Sequence, residues 1–468
     1  MKSKISDNLS LIQIIESWVT VEGTMHSMKE ILNWVEKKNE EIQVSIRKIG
    51  WNEMRDWYYD TAEKGIVNRS HAFFKVIGLQ QFDQNGCLKL EQPIILQNEI
   101  GYLGIIGKVF DGIMYFLMQA KIEPGNINKI QISPTIQATK SNFMCVHGGR
   151  TPQYIEYFYS KNNYEVIVDQ IQSEQSSRFY GKRNRNIIIV VDDDVNVAES
   201  YMWMTLGQIK KLMEFDNLVN MDTRTVISCI PFALRDFTYK ELVYINTLFT
   251  SQEMYNSIFF GEAGSQINKI YQYMNEIKML DSSKVELADL NSLQSWLFDG
   301  NSYKSPSGKF EVIFCDIEIE GREVSRWQQP LLEAKTISIL GLVFCVFDNK
   351  VNFLVHSISE VGCFDKVEIG PTMQCPDLHI KPANHIEKIF IDKYKKGEGI
   401  VFSGLFSEEG GRFYHEENRN VLMQVQKTEM GSLPPGYFWA DYQTLNILIQ
   451  FNNCLNIQLR NLLSIWKI

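Results

Sequence analysis

A 46-residue block of this chain occurs twice. Residues 92–137 and 329–374 align without a gap at an offset of 237, and 17 of the 46 positions are identical. That is far above chance, and self-similarity of this kind constrains a fold before any other feature does. The likeness continues downstream. Arg178-Phe179-Tyr180 with Asn184-Arg185-Asn186 matches Arg412-Phe413-Tyr414 with Asn418-Arg419-Asn420. Residues 201–203 (YMW) match 437–439 (YFW). Phe215, Asn217, Asn220, Arg224 and Ser228 then match Phe451, Asn453, Asn456, Arg460 and Ser464. The offset drifts by only a few residues, so insertions are confined to loops. A chain of 468 residues is also too long for one ordinary core. We expect two copies of one domain, at residues 1–232 and 285–468, joined by a helical connector at 233–284 that carries no Pro.

Within each copy the pattern reads as helix first, then strands, then short helices. Leu11 to Lys38 and Val285 to Phe298 have helical spacing. Ile100 to Val109 and Met114 to Gln119 flank Asp111-Gly112, a hairpin turn. Asp348-Asn349 repeats the arrangement. Val166–Ile171 and Ile187–Val191 read as further strands, and residues 204–214, 220–230 and 442–451 as helices. The fold class is therefore α+β, an α/β/α sandwich present twice.

Composition narrows the function. A net charge of −9 argues against a nucleic-acid surface, although a local basic cluster can still hold a small anion. No apolar run reaches the ~18 residues of a membrane span, and no secretory segment is visible at the start. Eight scattered cysteines without a CxxC pair fit reduced thiols, hence a cytoplasmic protein. There is no phosphate-binding P-loop, no well-placed GxGxxG, no HExxH, no GxSxG and no metal-spaced His/Cys cluster. We expect neither a metal nor a cofactor.

Two constellations remain. In residues 119–142 the polar positions Gln131, Ser133, Thr135, Gln137 and Thr139 alternate, which in an extended segment puts them on one face. Such a face suits a hydroxyl-rich ligand. The second constellation holds Gln172, Glu174, Arg178, Lys182, Arg183 and Arg185, where dense cationic groups match the oxygens of a pyrophosphate. The copies differ instructively: Ile358 stands where the first copy has Lys121, Cys363 where it has Asn126, and Gly370 where it has Ser133. Groups kept only by the first copy are the better catalytic candidates.

These residues resemble the nucleotide-sugar 2,3-dehydratases. The likeness rests on Glu123-Pro124-Gly125, Ser133-Pro134-Thr135 with Gln137, Ala138–Asn142, and His147-Gly148-Gly149. It continues in the QSEQ…RF…KRNRN run of residues 172–186, GREVSRWQQPLL at 321–332 and SEEGGRFYH…NR at 407–419. It covers nearly the whole chain. It departs at Val361 and Cys363, where Pro and Asn are expected. The resemblance implies a duplicated fold similar to the Nudix hydrolases, without their catalytic carboxylate box, and a homodimer.

It also implies a reaction: dTDP-4-keto-6-deoxy-glucose loses its acidified C3 proton, then the C2 hydroxyl leaves as water, giving a 3,4-diketo-2,6-dideoxy sugar for a 3-ketoreductase. The steps need a base, an acid and an oxyanion partner. Expected catalytic groups are Glu123, Lys121 and His147, with Lys140 as a second carbonyl-polarising candidate. Expected sugar and nucleotide contacts are Gln119, Asn126, Gln131, Ser133, Thr135, Gln137, Thr139, Lys140, Asn142, Arg150, Gln172, Glu174, Arg178, Lys182 and Arg185. An auxiliary nucleotide-sugar site is expected at Thr372, Gln374, Arg412, Tyr414 and Arg419. The rival readings are a non-catalytic nucleotide-sugar binder, a Nudix-type pyrophosphohydrolase and a ketoisomerase.

Overall fold

A computed structural model of the chain describes residues 6–23, 25–71, 73–139, 152–159, 164–234, 236–320 and 324–468. It contains four sheets and ten α-helices among the described residues. Two of the sheets are seven-stranded and share one topology. In the first, the strands run in the order Glu165–Ser173, Arg183–Val190, Gly101–Phe110, Ile113–Ile122 and Tyr201–Met204. Ile130–Ser133 pairs with Ile113–Ile122, and Ile136–Ala138 with Gly101–Phe110. The second sheet repeats this with Ile400–Ser407, Glu417–Gln424, Ser338–Phe347, Lys350–Ile358 and Tyr437–Asp441.

The hairpins at the centre of both sheets follow from local chemistry. Asp111 and Gly112 sit at φ 49° and 85°, and Asp348 and Asn349 at 52° and 56°. Asn, Asp and Gly tolerate that left-handed backbone, which matches the twist of the flanking strands. The helices Met221–Ser228 and Ile457–Ser464 then pack against each other between the halves. Their arginines, Arg224 and Arg460, are each only 1% exposed. Arg224 Nη2 donates to the Ser407 carbonyl at 2.8 Å, and Arg460 Nη2 donates to the Ser173 carbonyl at 2.5 Å. Each guanidinium thus ties its own half to a strand end of the other, about an approximate two-fold axis. The largest apolar cluster likewise draws Phe116 and Ile132 from the first half and Phe353 and Leu459 from the second.

The two five-stranded sheets carry an exchange. Val44–Ile49 pairs antiparallel with Phe310–Ile319, in register from Val44 opposite Ile319 to Ile49 opposite Phe314. Reciprocally, Lys284–Ala288 pairs with Lys75–Phe82. Each half therefore completes a sheet of the other with the strand that precedes its own sheet strands.

That exchange explains one correction. Residues 285–298, expected as a helix, form the strand Lys284–Ala288, a 3-10 turn at Leu290–Ser292 and the short strand Leu297–Phe298. Leu287, Leu290 and Leu293 mimic a helical period. However, Asp289 caps the 3-10 turn, accepting from the Asn291 amide, and pairing with Lys75–Phe82 holds the preceding residues extended. Tertiary pairing outweighs local propensity here. Residues 11–38, expected to be helical, form two helices, Ser6–Val19 and Met28–Glu41. The second of these starts at a Ser27/Glu30 capping box.

Candidate active site

Each half projects a tight loop into the other. The Gly125 amide donates to the Gly410 carbonyl at 2.7 Å, and the His415 amide donates to the Gly125 carbonyl at 2.9 Å. A Cβ on Gly125 would lie 1.5 Å from the Phe413 carbonyl oxygen, so only glycine permits the contact. The opposite side repeats it: Gly362 bonds the Ser176 carbonyl at 2.8 Å, and a Cβ there would lie 1.8 Å from the Phe179 oxygen. As a result, the Arg-Phe-Tyr loop of each half serves the Glu-x-Gly loop of the other.

A cavity of about 460 Å³ opens beside the first of these contacts. The strand Ile113–Ile122 brings Lys121 to it, and the following turn brings Glu123 and Pro124. Gln137 and Thr139 come from and just after Ile136–Ala138, and Glu174, Lys182 and Asn184 from the ends of the outer strand pair. Asp222 reaches it from the first turn of the helix Met221–Ser228. The second half supplies Trp327, Gln328, Gln329, Glu409 and Arg412, while Trp57, Phe73 and Tyr102 add aromatic wall.

The polar groups form a braced array. Lys121 Nζ lies 3.5 Å from Glu123 Oε1. Gln137 Nε2 donates to the same oxygen at 2.9 Å, and its own Oε1 accepts from Asn220 Nδ2 at 3.2 Å. Asn220 also donates to Ser133 Oγ at 2.9 Å, and its side chain caps the helix by accepting from the Thr223 amide at 2.8 Å. A helix terminus therefore fixes the orientation of the catalytic candidate Glu123. Lys182 Nζ donates to the Glu99 carbonyl at 2.6 Å, and Arg412 lies 4.2 Å over the Phe74 ring and donates to Gln97 Oε1 at 3.3 Å.

Around this array sit more carboxyls than cations can match. Burial pushes Glu409 up to about 7, with the charge of Glu123 adding to the effect. Burial raises Glu174, and raises Asp222 well above the usual carboxylate range, because an ionised carboxyl loses its hydration there. It lowers the Lys182 ammonium for the same reason. Glu174 Oε2 and Asp222 Oδ1 are buried and, among the described residues, have no hydrogen-bond partner. Perturbed acids grouped in a cleft single this cavity out as the candidate site.

Of the residues singled out in the sequence, Lys121, Glu123, Gln137, Thr139, Glu174 and Lys182 meet at this cavity. His147, Lys140, Asn142 and Arg150 lie outside the described residues. The alternating face does not line the cavity as a row. Gln131 Nε2 donates to Ser407 Oγ at 2.7 Å, while Thr135 Oγ1 bonds the Leu117 carbonyl and accepts from the Ile106 amide. Asn126 Nδ2 closes its own turn on the Lys129 carbonyl, and Gln172 Nε2 donates to the Ile449 carbonyl. The single extended face expected from period-2 spacing is broken: Ile130–Ser133 and Ile136–Ala138 are separate strands with different partners, Thr135 lies between them, and Gln131 turns to the other half while Ser133, Thr135 and Gln137 bond their own. Gln119 is half-buried, opposite Ser133 in the ladder.

The basic residues trade sides. Arg178 stacks 4.1 Å over Phe310 and lies 3.8 Å from Glu416, both of the second half, whereas Arg412 lines the first-half cavity. Arg185 forks onto Asp169 at 2.6 and 2.7 Å. Thr372 repeats the structural role of Thr135, and Gln374 donates to Glu360 Oε1 at 2.6 Å. Tyr414 stacks on His415, and Arg419 is half-buried opposite Ile339. Asp222 and Glu409 escaped the sequence reading. The signal was present: their counterparts at offsets 236 and 234 are the amides Gln458 and Gln175.

The duplicated α+β fold and a cavity lined by carboxyls, cations and aromatic rings define a class: an enzyme-like site for a polar small molecule. A family model described as NDP-hexose 2,3-dehydratase matches residues 28–230 and 267–466, and the chain belongs to that family. Its relatives include proteins named dTDP-4-dehydro-6-deoxy-alpha-D-glucopyranose 2,3-dehydratase. The one from Saccharopolyspora spinosa is 34% identical over 97% of this chain and 95% of its own length. Those from Amycolatopsis orientalis and Streptomyces violaceoruber are each 31% identical, covering 97% and 92% of this chain and 93% and 95% of theirs.

Proposed function

We propose that this chain is a hydro-lyase that converts dTDP-4-keto-6-deoxy-glucose to the 3,4-diketo-2,6-dideoxy sugar. The observation that carries the reading is the Lys121–Glu123 pair, 3.5 Å apart in a cavity of about 460 Å³ within a chain of this family. The names of the relatives supply the substrate.

The chemistry follows from the groups available. Glu123 takes the C3 proton, which the neighbouring C4 ketone acidifies, with His147 as the other candidate for this role. The enolate oxygen that forms needs a fixed cation, and Lys121 is a half-buried cation next to the base, with Lys140 as its alternative. Loss of the C2 hydroxyl then gives an enol that tautomerises to the diketone. Arg412 and Lys182 face the diphosphate, since a guanidinium fork matches its oxygens. The nucleotide rests against the aromatic wall.

The two halves resemble the Nudix fold in our reading, each copy occupying about half of the chain. We further place the enzyme in the cytoplasm as a homodimer, supplying a 3-ketoreductase. Incubation with dTDP-4-keto-6-deoxy-glucose tests the activity by mass: the product is lighter by one water, and a 3-ketoreductase present in the mixture traps it. Conversion at constant mass supports the ketoisomerase, release of dTMP supports the pyrophosphohydrolase, and binding without conversion supports a non-catalytic binder.

A further inference from the structure

The cavity and its counterpart in the other half differ in a pattern that crosses the chain. At the first site stand Lys121, Asp222 and Glu409; at the equivalent places of the second stand Ile358, Gln458 and Gln175. Lys121 and Asp222 belong to the first half, but Glu409 belongs to the second. At this loop position a carboxyl, Glu409, therefore stands where the loop exchange delivers it to the first-half site, and an amide, Gln175, where the exchange delivers the first half's loop to the second site. Drift of one half cannot give that pattern; a demand from one site can.

Glu409 is held by the loop that meets the Glu123 turn. The Arg412 and Phe413 amides donate to its carbonyl at 3.2 and 3.1 Å, and a Cβ on the adjacent Gly410 would lie 3.0 Å from Glu123 Cβ. The charged groups around it are Glu123, Arg412, Glu174 and Lys121, and its charge also reaches Asp222 and Lys182.

We propose that Glu409 is the general acid of the elimination, a catalytic residue given by the second half to the site of the first. This rests on the dehydratase reading above. Glu123 removes the C3 proton to give the C4 enolate, whose electron pair then returns through C3 to form the C2=C3 bond as the C2–O bond breaks. The Glu409 proton goes to the departing hydroxyl, which leaves as water. The two carboxyls still hold one proton, now on Glu123; tautomerisation adds a proton at C2 and releases one from O3, which lets Glu123 give up its proton and Glu409 regain one. Glu409 lines the same cavity as Glu123, and its burial beside that charge favours its protonated form, the state a general acid requires.

The test separates proton removal from water loss. Glu409→Gln is incubated with dTDP-4-keto-6-deoxy-glucose in D2O, and deuterium at C3 and loss of water are followed together. Deuterium exchange at C3 at near the wild-type rate, water loss slowed about 10²- to 10³-fold, and an unchanged dTDP affinity by calorimetry are expected. Water loss at the wild-type rate overturns the proposal, as does equal slowing of exchange and water loss. If Glu409→Gln does not fold, Glu409→Asp replaces it. It should keep exchange and alter the high-pH limb of kcat, and an unaltered kcat and limb overturn the proposal. Wild-type protein that never loses water sinks the dehydratase reading instead.

Discussion

The two pseudo-equivalent sites share a scaffold and differ in chemistry. Glu123 and Glu360 occupy matching turns, each bonded by a glutamine, Gln137 or Gln374, that is in turn held by a helix-capping asparagine, Asn220 or Asn456. Yet Lys121, 3.5 Å from Glu123, has no lysine at the matching strand position of the second, where the cations acting on Glu360 are Arg178 and Lys309 from elsewhere in the chain. At the second, Ile358 fills that place and packs against Gly370, where a Cβ would lie 2.3 Å from Ile358 Cδ1. Glu416 replaces Lys182 and lines a small recess of about 160 Å³ with residues 334–337, His415 and Glu417, a lining that does not include Glu360 or Ile358. The difference teaches that the polar brace belongs to the fold, and it makes Lys121, Asp222 and Glu409 the groups to test for a part in the reaction.

The sharpest way to break this comparison is at the lysine. Lys121→Met should lower kcat about 10³-fold, as removal of a preorganised oxyanion partner does. Ile358→Ala should lower Tm and leave kcat unchanged. Equal kcat losses in the two variants, measured on the same substrate, would erase the distinction. Next comes the guanidinium pair. Arg412→Lys should raise KM for the dTDP-sugar about 10-fold, or about 1.4 kcal/mol, because an ammonium lacks the bidentate fork. Arg178→Lys should leave KM unchanged, since Arg178 faces Phe310 and Glu416.

The smallest effect concerns pH. Burial pushes Glu360 and Glu368 up to about 7 and Glu408 up to about 8, from an ordinary value of 4.5. The folded state therefore binds more protons than the unfolded state between those limits. The stability these groups contribute is full below about pH 4.5 and is lost as pH rises through 7 to 8. Tm should fall across that window, and Glu408→Gln, which keeps an oxygen for Asn418 Nδ2, should flatten the fall. A Tm that rises from pH 5 to 8 would show that the depressed surface carboxylates dominate instead.

Much of this was legible in the sequence, because it rests on local rules. The hairpin turn Asp111-Gly112 and the segments flanking it gave the central strands, and the repeat gave the twofold layout. Lys121 and Glu123 stood out because the other copy lacks the lysine. What failed was assignment by half. Arg178 and Arg412 carry the same motif, and nothing local says that each is used across the interface. That depends on the fit of Gly125 against Phe413 and of Gly362 against Phe179, contacts hundreds of residues apart. The same long-range pairing hid the strand Lys284–Ala288 behind a helical spacing of leucines.

The traded strands Val44–Ile49 and Lys284–Ala288 have a further effect. A gene cut between the two halves would encode polypeptides that each miss a rib of their own frame and hold one that fits only the sibling. Such pieces should fold only when they meet. Ancestral twins bound in this way evolve under a single selection, so an inherited change in the quieter twin is felt at the busier one.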